Sequence, residues 1–241
     1  MAFIHGKNTA VFVNAHDLSA FFNDASPSVS VETAETTAFG SSDKTYVPGL
    51  SDATVSVSGM FDGSADAIDE VLSGLLGVED GAVATVAYGG ATKGNRVSIA
   101  KVEATSYDVS APVGDVVAAS AELQADGGLD NGVALTGHAA VTATGTAASE
   151  DHGASTSNGG IAVYHATANT RDGATTIKVQ HSADNSTWAD LVTFSDLTAA
   201  TTGSGIAVVA SGTTVNRYLR ANYTLAGSTG SITFILSFAR R

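Results

Sequence analysis

The stretch SDATVSVSGMFDGSADAIDEVLSGLL, Ser51 to Leu76, carries two periodicities side by side. Val55 and Val57 alternate with Thr and Ser, which places both branched side chains on one face of a strand. Ile68, Val71, Leu72 and Leu75 then follow i, i+3, i+4, i+7 and form one helical stripe. Ser64 is placed to cap a helix over 64–76, Asp66 suits the positive end of its dipole, and Gly77 stands where a left-handed C-terminal cap is expected. Gly74 inside that helix costs about 1 kcal/mol relative to Ala, which packing must offset. Outward from this stretch only the strand period recurs, at Val11 and Val13, Val29 and Val31, and Val97 and Ile99. The chain therefore reads as all-β with one helix.

From Thr142 to Gly160 the sequence TATGTAASEDHGASTSNGG lacks any large apolar side chain, so little burial is available to offset the entropy of ordering it. It reads as a linker, 143–160, between a first domain, 1–142, and a second, 161–241. The second holds about six short strands with evenly spaced turns: 161–168, 175–181, 188–194, 205–210, 215–223 and 231–238. Ile232, Phe234, Leu236 and Phe238 alternate strictly and give the last strand one large apolar face. This pattern is that of a β-sandwich or jelly roll, with Ser182 to Asn185 forming a turn and Trp188 closing the core after it.

Of 241 residues, half are Ala, Gly, Ser or Thr, yet 44% are hydrophobic, enough for a sizeable core. There is no cysteine, which excludes a disulfide scaffold, a thiolate metal site and a cysteine nucleophile. No apolar run approaches the roughly 18 residues that span a bilayer. His5, Gly6, Lys7 and Asn8 interrupt the one apolar run near the start, so the expectation is a protein made and used without secretion. Residues 1–142 hold 18 acidic side chains against 5 basic ones, whereas 143–241 hold 6 of each. All the excess charge lies in the first region, which argues against phosphate-seeking contacts there.

Chemical motifs are scarce. His5, His16, His138, His152, His165 and His181 are scattered without metal-ligand spacing, and surface or structural roles are expected. No GxSxG, GxxxxGK[ST] or strand-linked GxGxxG occurs, so no catalytic, cofactor-binding or metal-binding residue is assigned. The pairs Asp69-Glu70 and Glu79-Asp80 are read as solvated surface rather than as an acid and a base. Asn185-Ser186-Thr187 and Asn222-Tyr223-Thr224 match the glycosylation sequon by chance.

Glu32 to Leu50, ETAETTAFGSSDKTYVPGL, reads as a long polar loop whose large apolar groups are Phe39, Tyr46, Val47 and Leu50. Loops of this length without structure are usually functional. An arm that orders against a neighbouring subunit, with Phe39 and Tyr46 as anchors, is the favoured reading over a mobile surface loop.

These residues carry a resemblance. The opening region, with the Asp17-Leu18-Ser19 turn, the ETAETTAFG loop, KTYVPGL, and the strand ending Ser58-Gly59-Met60-Phe61-Asp62-Gly63 before the helix, resembles the tail tube (major tail) proteins of long-tailed bacteriophages. Ser110 to Asp115, SAPVGD, and Gly127 to Gly132, GGLDNG, add to it, and the likeness covers about residues 1–140. The second region, through Ile177 to Asp184, Trp188 and Val215 to Arg220, is similar to jelly-roll, discoidin-like carbohydrate-binding modules.

The first resemblance implies a sandwich or barrel domain that forms rings, generally hexameric, whose sheets join edge to edge and whose rings stack into the tube of a virion tail assembled in the host cytoplasm. It implies inter-ring contacts from Phe39, Asp43, Lys44 and Tyr46, and a helix packed on the outside of the sheet. Carboxylates from the set Glu32, Glu35, Asp43, Glu103 and Glu122 would line a lumen through which DNA passes without specific binding. The partners implied are further copies of the chain and the tape-measure, tail terminator and baseplate proteins; no cofactor and no enzymatic activity are implied. The second region would decorate the exterior and contact host glycans, or join the wall so that three subunits make a pseudo-sixfold ring. Two other classes stay open at this point: a carbohydrate-binding or adhesive module acting through the C-terminal sandwich, and a hydrolase on an all-β scaffold with paired carboxylates in a cleft.

Overall fold

The computed structural model describes residues 3–79 and 81–241. After a 3-10 turn, Gly6–Asn8, come β1 (Ala10–Val13), β2 (His16–Asp17), β3 (Phe22–Glu35), β4 (Tyr46–Met60), α1 (Ile68–Ser73), β5 (Ala82–Ala87), β6 (Arg96–Ser110) and β7 (Ala118–Ala134). Then follow β8 (Ala139–Val141), β9 (Gly145–Thr146), β10 (Glu150–Asp151), β11 (Gly160–Asn169), β12 (Thr175–Ser182), β13 (Ala189–Thr193), β14 (Gly203–Val209), β15 (Tyr218–Leu225) and β16 (Ile232–Arg240). The protein is all-β with one helix, as its periodicities predict. The strands after residue 160 lie within a few residues of those expected.

All strand pairings are antiparallel, in two sheets. One has eleven strands and runs β14-β11-β16-β7-β6-β5-β1-β2, with β4 also on β7, β3 on β4 and β8 on β16. The other has five, β10-β15-β12-β13 with β9 on β15. The long strand β7 joins the two ends of the chain. It pairs with β4 over Ala118–Gln124 and with β16 at Val133 and Ala134, while β6 runs along its other edge. Gly127 and Gly128 have φ of +85° and +92°, a region open to glycine, and they lie where three β7 residues pass unpaired between Asp126 and Asp130. At Gly132 a Cβ would sit 2.3 Å from the Phe238 carbonyl oxygen, so the close approach of β7 to β16 also requires glycine.

Three apolar clusters hold the layers together. Val11, Val13, Val55, Val57 and Leu123 meet the helix residues Ile68 and Leu72 in the first. Phe12, Val97 and Ile99 meet Ile161, Val163 and Ile235 in a second. Ile232, Phe234, Leu236 and Phe238, the alternating face of the last strand, pack with Ile177, Val179 and Leu219 of the smaller sheet in a third. Adjacent residues of β1, β11 and β16 point into different clusters, so these strands are buried on both faces.

The second cluster mixes residues from both sides of the expected boundary, so the two regions share a core. The expected linker is part of that construction: Thr146 and Gly145 pair with Asn222 and Tyr223, and Glu150 and Asp151 pair with Leu219 and Tyr218. Its small residues let the backbone lie close against Tyr223, and Arg217 grips Asp151 with bonds of 2.6 Å. The helix is shorter than the expected 64–76. Asp66 has φ of +61°, outside helical space, and the carboxylates of Asp62 and Glu70, accepting from the Ser64 and Asp66 N–H groups, turn the chain in place of a Ser64 cap. Gly74 is the C-cap, which relieves it of the interior-helix penalty. Trp188 does not close the core. Half-buried, it lies under Arg220, whose guanidinium carbon is 4.0 Å from the ring centroid.

The two regions are also joined by a polar contact in the shared layer. His165, fully buried on β11, lies 2.6 Å through Nδ1 from the Asn14 carbonyl and 2.7 Å through Nε2 from Thr85 Oγ1. The carbonyl can only accept, so Nδ1 carries the proton and Nε2 accepts from the hydroxyl. The Phe12 ring stacks on it at 5.6 Å, with half-buried His138 beyond and the Asp17 carboxylate 3.5 Å from His138 Nδ1. Burial holds the His165 pKa down at about 4, against 6.5 for an open imidazole. The unfolded chain therefore binds the extra proton first as pH falls, and stability should drop between pH 6.5 and 4 by about 3 kcal/mol. Denaturant titrations at pH 7.5 and 4.5 would measure this, and His165→Gln should flatten the difference.

Candidate functional site

Alternation fixes which side chains share each face of the β3-β4-β7-β6 section. Val55, Val57, Ala121 and Leu123 point to the core. The opposite face carries Asp24, Ser26 and Ser28 from β3; Asp52, Thr54, Ser56 and Ser58 from β4; Ser120, Glu122, Gln124 and Asp126 from β7; and Lys101, Glu103, Ser106 and Asp108 from β6. Its six carboxylates face one cation, Lys101, whose ammonium is 2.7 Å from Asp126. Glu122 accepts from Ser56 Oγ at 2.7 Å, and the Gln124 amide bonds the Asp52 carboxylate and, at 3.0 Å, the Ala53 carbonyl. The result is a hydroxyl-rich surface of net negative charge, which repels polyanions and offers phosphate no arginine fork.

From this section an arm projects. β4 leaves β7 after the pair Thr54 and Gln124, and β3 and β4 continue alone to Glu35 opposite Tyr46. The two ends of the expected loop, 32–35 and 46–50, are thus paired strand, 36–45 forms the irregular tip, and residues 28–52 are exposed throughout. Its small polar side chains show little alternation because backbone pairing, which is blind to side-chain type, supplies the order. Near the tip Thr36 and Thr45 share a hydroxyl contact of 3.0 Å, and Lys44 lies 2.9 Å from Glu35, which holds that carboxyl below its usual range.

The sequence-derived site residues fall in two places. Glu103 and Glu122 belong to the acidic face on neighbouring strands. Glu32 and Glu35 lie on the arm, as do Phe39, Asp43, Lys44 and Tyr46, with Phe39 fully exposed at the tip. Asp24, Asp52, Asp108 and Asp126 share the face and lie outside the sequence-derived set. The signal was there, since each sits an even number of residues from a Ser or Thr in the same strand, but the cross-strand register that groups them is not local.

The remaining acidic pairs do other work. Asp69 accepts from Tyr107 Oη at 2.8 Å and Glu70 from the Asp66 N–H at 2.9 Å, both anchoring the helix. Asp80 of the Glu79-Asp80 pair lies outside the described residues. Among the described residues no group of three or more His, Asp or Glu side chains is placed to hold a metal. No described helix is long and apolar enough to cross a membrane. On the outer face of the smaller sheet, Lys178 and Gln180 both bond Asp190, and Arg220 bonds Gln180 while covering one face of Trp188.

No protein-family model matches the sequence, and neither does any curated protein. Among solved structures the chain is similar to one from the virion of a native gene transfer agent particle, at TM-score 0.44 and 16% identity, over 53% of this chain and 97% of that one. It is similar to the tube-terminating cap of the anti-feeding prophage, at TM-score 0.44 and 14% identity, over 55% and 93%. It is also similar to the Dit protein of SPP1, described as a paradigm of the hub adsorption apparatus in phages infecting Gram-positive hosts, at TM-score 0.38 and 11% identity, over 96% and 98%.

Proposed function

We propose that this chain is a structural subunit of a bacteriophage tail, polymerising into stacked rings around a hollow tube through which the genome passes. The observation that carries the reading is the free arm, a ribbon on which Val29, Val31, Phe39, Tyr46, Val47 and Leu50 are each at least half exposed. An isolated two-stranded ribbon is marginal in water, and exposed apolar groups in this number usually mark a contact surface. The arm would reach an adjacent ring, with Phe39, Asp43, Lys44 and Tyr46 at the contact.

The acidic face supports the same reading. With Glu103 and Glu122 beside Asp24, Asp52 and Asp108, it would line the lumen and keep DNA phosphates from adhering. The region after residue 160, sharing sheet and core with the first, fits the tube wall better than a tethered decoration. Its partners would be further copies of itself, in rings of six or in rings of three with pseudo-sixfold walls, and the proteins that measure, terminate and anchor a tail.

Negative-stain electron microscopy of the concentrated protein tests the reading, with hollow tubes or stacked rings expected. A folded chain that stays monomeric with added tail initiator would overturn it. Replacing Asp52, Glu103 and Glu122 by Lys should leave tubes intact but make them retain duplex DNA at low salt, where wild-type tubes retain none. Equal retention by both would remove the lumen from the proposal.

A further inference from the structure

An asparagine precedes a glycine at two places in the chain, Asn131-Gly132 and Asn158-Gly159. Such a pair is chemically labile, because glycine has no side chain to shield its nitrogen from the asparagine carboxamide and lets the backbone bend until the two meet. The fold treats the two pairs differently. Asn131 and Gly132 lie within β7 opposite Ser98 and Val97, Asn131 Oδ1 accepts from Ser98 Oγ at 2.7 Å, and Gly132 abuts the Phe238 carbonyl. That paired, extended backbone keeps the Gly132 nitrogen from the Asn131 carboxamide. Asn158 is exposed in the short bend between Thr156, which bridges Val215, and the start of β11. Its N–H donates to Thr156 Oγ1 at 3.2 Å, and its side chain has no hydrogen-bond partner among the described residues. A third exposed asparagine, Asn185, is protected by the Asp184 clamp, whose carboxylate holds the Ser186 N–H at 2.9 Å.

We propose that Asn158 is a site of spontaneous deamidation and backbone isomerisation, and that Asn131 is not. The Gly159 nitrogen attacks the Asn158 side-chain carbonyl carbon, forming a C–N bond. The side-chain nitrogen departs as ammonia, taking the Gly159 N–H proton, and leaves a cyclic succinimide. Water then adds to one of the two succinimide carbonyls and breaks its bond to the Gly159 nitrogen. Opening on one side gives aspartate at 158; opening on the other gives isoaspartate, with the main chain rerouted through the side-chain carbon. Water is the one co-reactant, and nothing is oxidised or reduced.

The two products differ in what they do to the fold. A Cβ on Gly159 would lie 2.1 Å from the Val209 carbonyl oxygen, and one on Gly160 would lie 2.5 Å from that of Ala239, so the backbone after Asn158 is fitted closely between β14 and β16. The Gly159 carbonyl also accepts from the Arg241 N–H at 3.3 Å. Isoaspartate inserts an extra methylene into the main chain at the entrance to this fit and must displace it. Aspartate changes only the charge of an exposed side chain. Aged protein should therefore contain one product that melts like the fresh chain and one that melts lower.

The test is peptide mapping by mass spectrometry of the full-length protein, incubated warm at mildly alkaline pH, with a parallel sample unfolded in urea. Deamidation adds about 1 Da to a peptide, and isoaspartate is scored by its enzymatic methylation. In the folded protein the Asn158 peptide should convert roughly 10-fold or more faster than the Asn131 peptide, because Asn131 reacts only when β7 opens. In urea the two should convert at similar rates, which assigns the difference to the fold. Asn158→Gln, a change at an exposed position, should remove the aged species and leave the melting temperature of fresh protein unchanged. Folded protein in which Asn131 converts as fast as Asn158, or in which Asn158 stays intact while the urea sample converts, overturns the proposal.

Discussion

Truncation after residue 149 is expected to leave a chain without a cooperative fold. The cut removes Ile161, Val163, Ile235 and Ala239 from the cluster they share with Phe12, Val97 and Ile99. It also strips β16 from β7 and β8 and removes His165 from Thr85 and Asn14. Losing one buried Ile or Leu side chain costs about 2–5 kcal/mol, against a total stability of about 5–15 kcal/mol for a typical domain, so a whole facing layer exceeds what the remainder can supply. The expected product has strand-rich far-ultraviolet circular dichroism, weak near-ultraviolet signal and strong binding of an apolar dye. A cooperative thermal transition in residues 1–149 would show that the first region is an independent domain and that the shared layer is an accessory.

Removal of Phe39 to Tyr46, with the ribbon reclosed by a two-residue turn, should have the opposite profile. Every residue removed is exposed, so the melting temperature should move by no more than a few degrees. Polymerisation should be lost, since the deletion takes two of the arm's large apolar groups and its one cation. Light scattering and electron microscopy on the folded variant measure this. Tubes of normal length from it would move the inter-ring contact elsewhere on the molecule. Together the two deletions separate the surface that assembles copies from the layer that folds each one.

Much of this architecture is legible in the sequence. The stripe Ile68, Val71, Leu72 and Leu75 announces the one helix, and the alternation of Ile232, Phe234, Leu236 and Phe238 announces the face that packs on the smaller sheet. The clamp at Asp184, which accepts from the Ser186 and Thr187 N–H groups, follows from the turn chemistry of Ser182 to Asn185. Such features are written in neighbouring residues, because the strand and helix periods act over a few positions and turn residues bond their own backbone. The free arm was legible as an unusual segment with exposed anchors, though as a loop rather than a ribbon.

Tertiary structure decided the rest, for one physical reason: pairing between strands distant in sequence depends on backbone ladders and register that side-chain identity barely marks. The small residues of 143–160 carry no apolar signal, yet Tyr223 on β15 and Arg217 just before that strand give the segment a place to lie. Ile161 and Val163 alternate with Ala162 and Tyr164 as any strand would, and only the folding of one sheet over itself buries both faces at once. Trp188, a core residue by type, is held outside by Arg220. Asp24, Asp52, Glu103, Asp108 and Glu122 are five separate carboxylates in the sequence, and the register of four strands turns them into one surface.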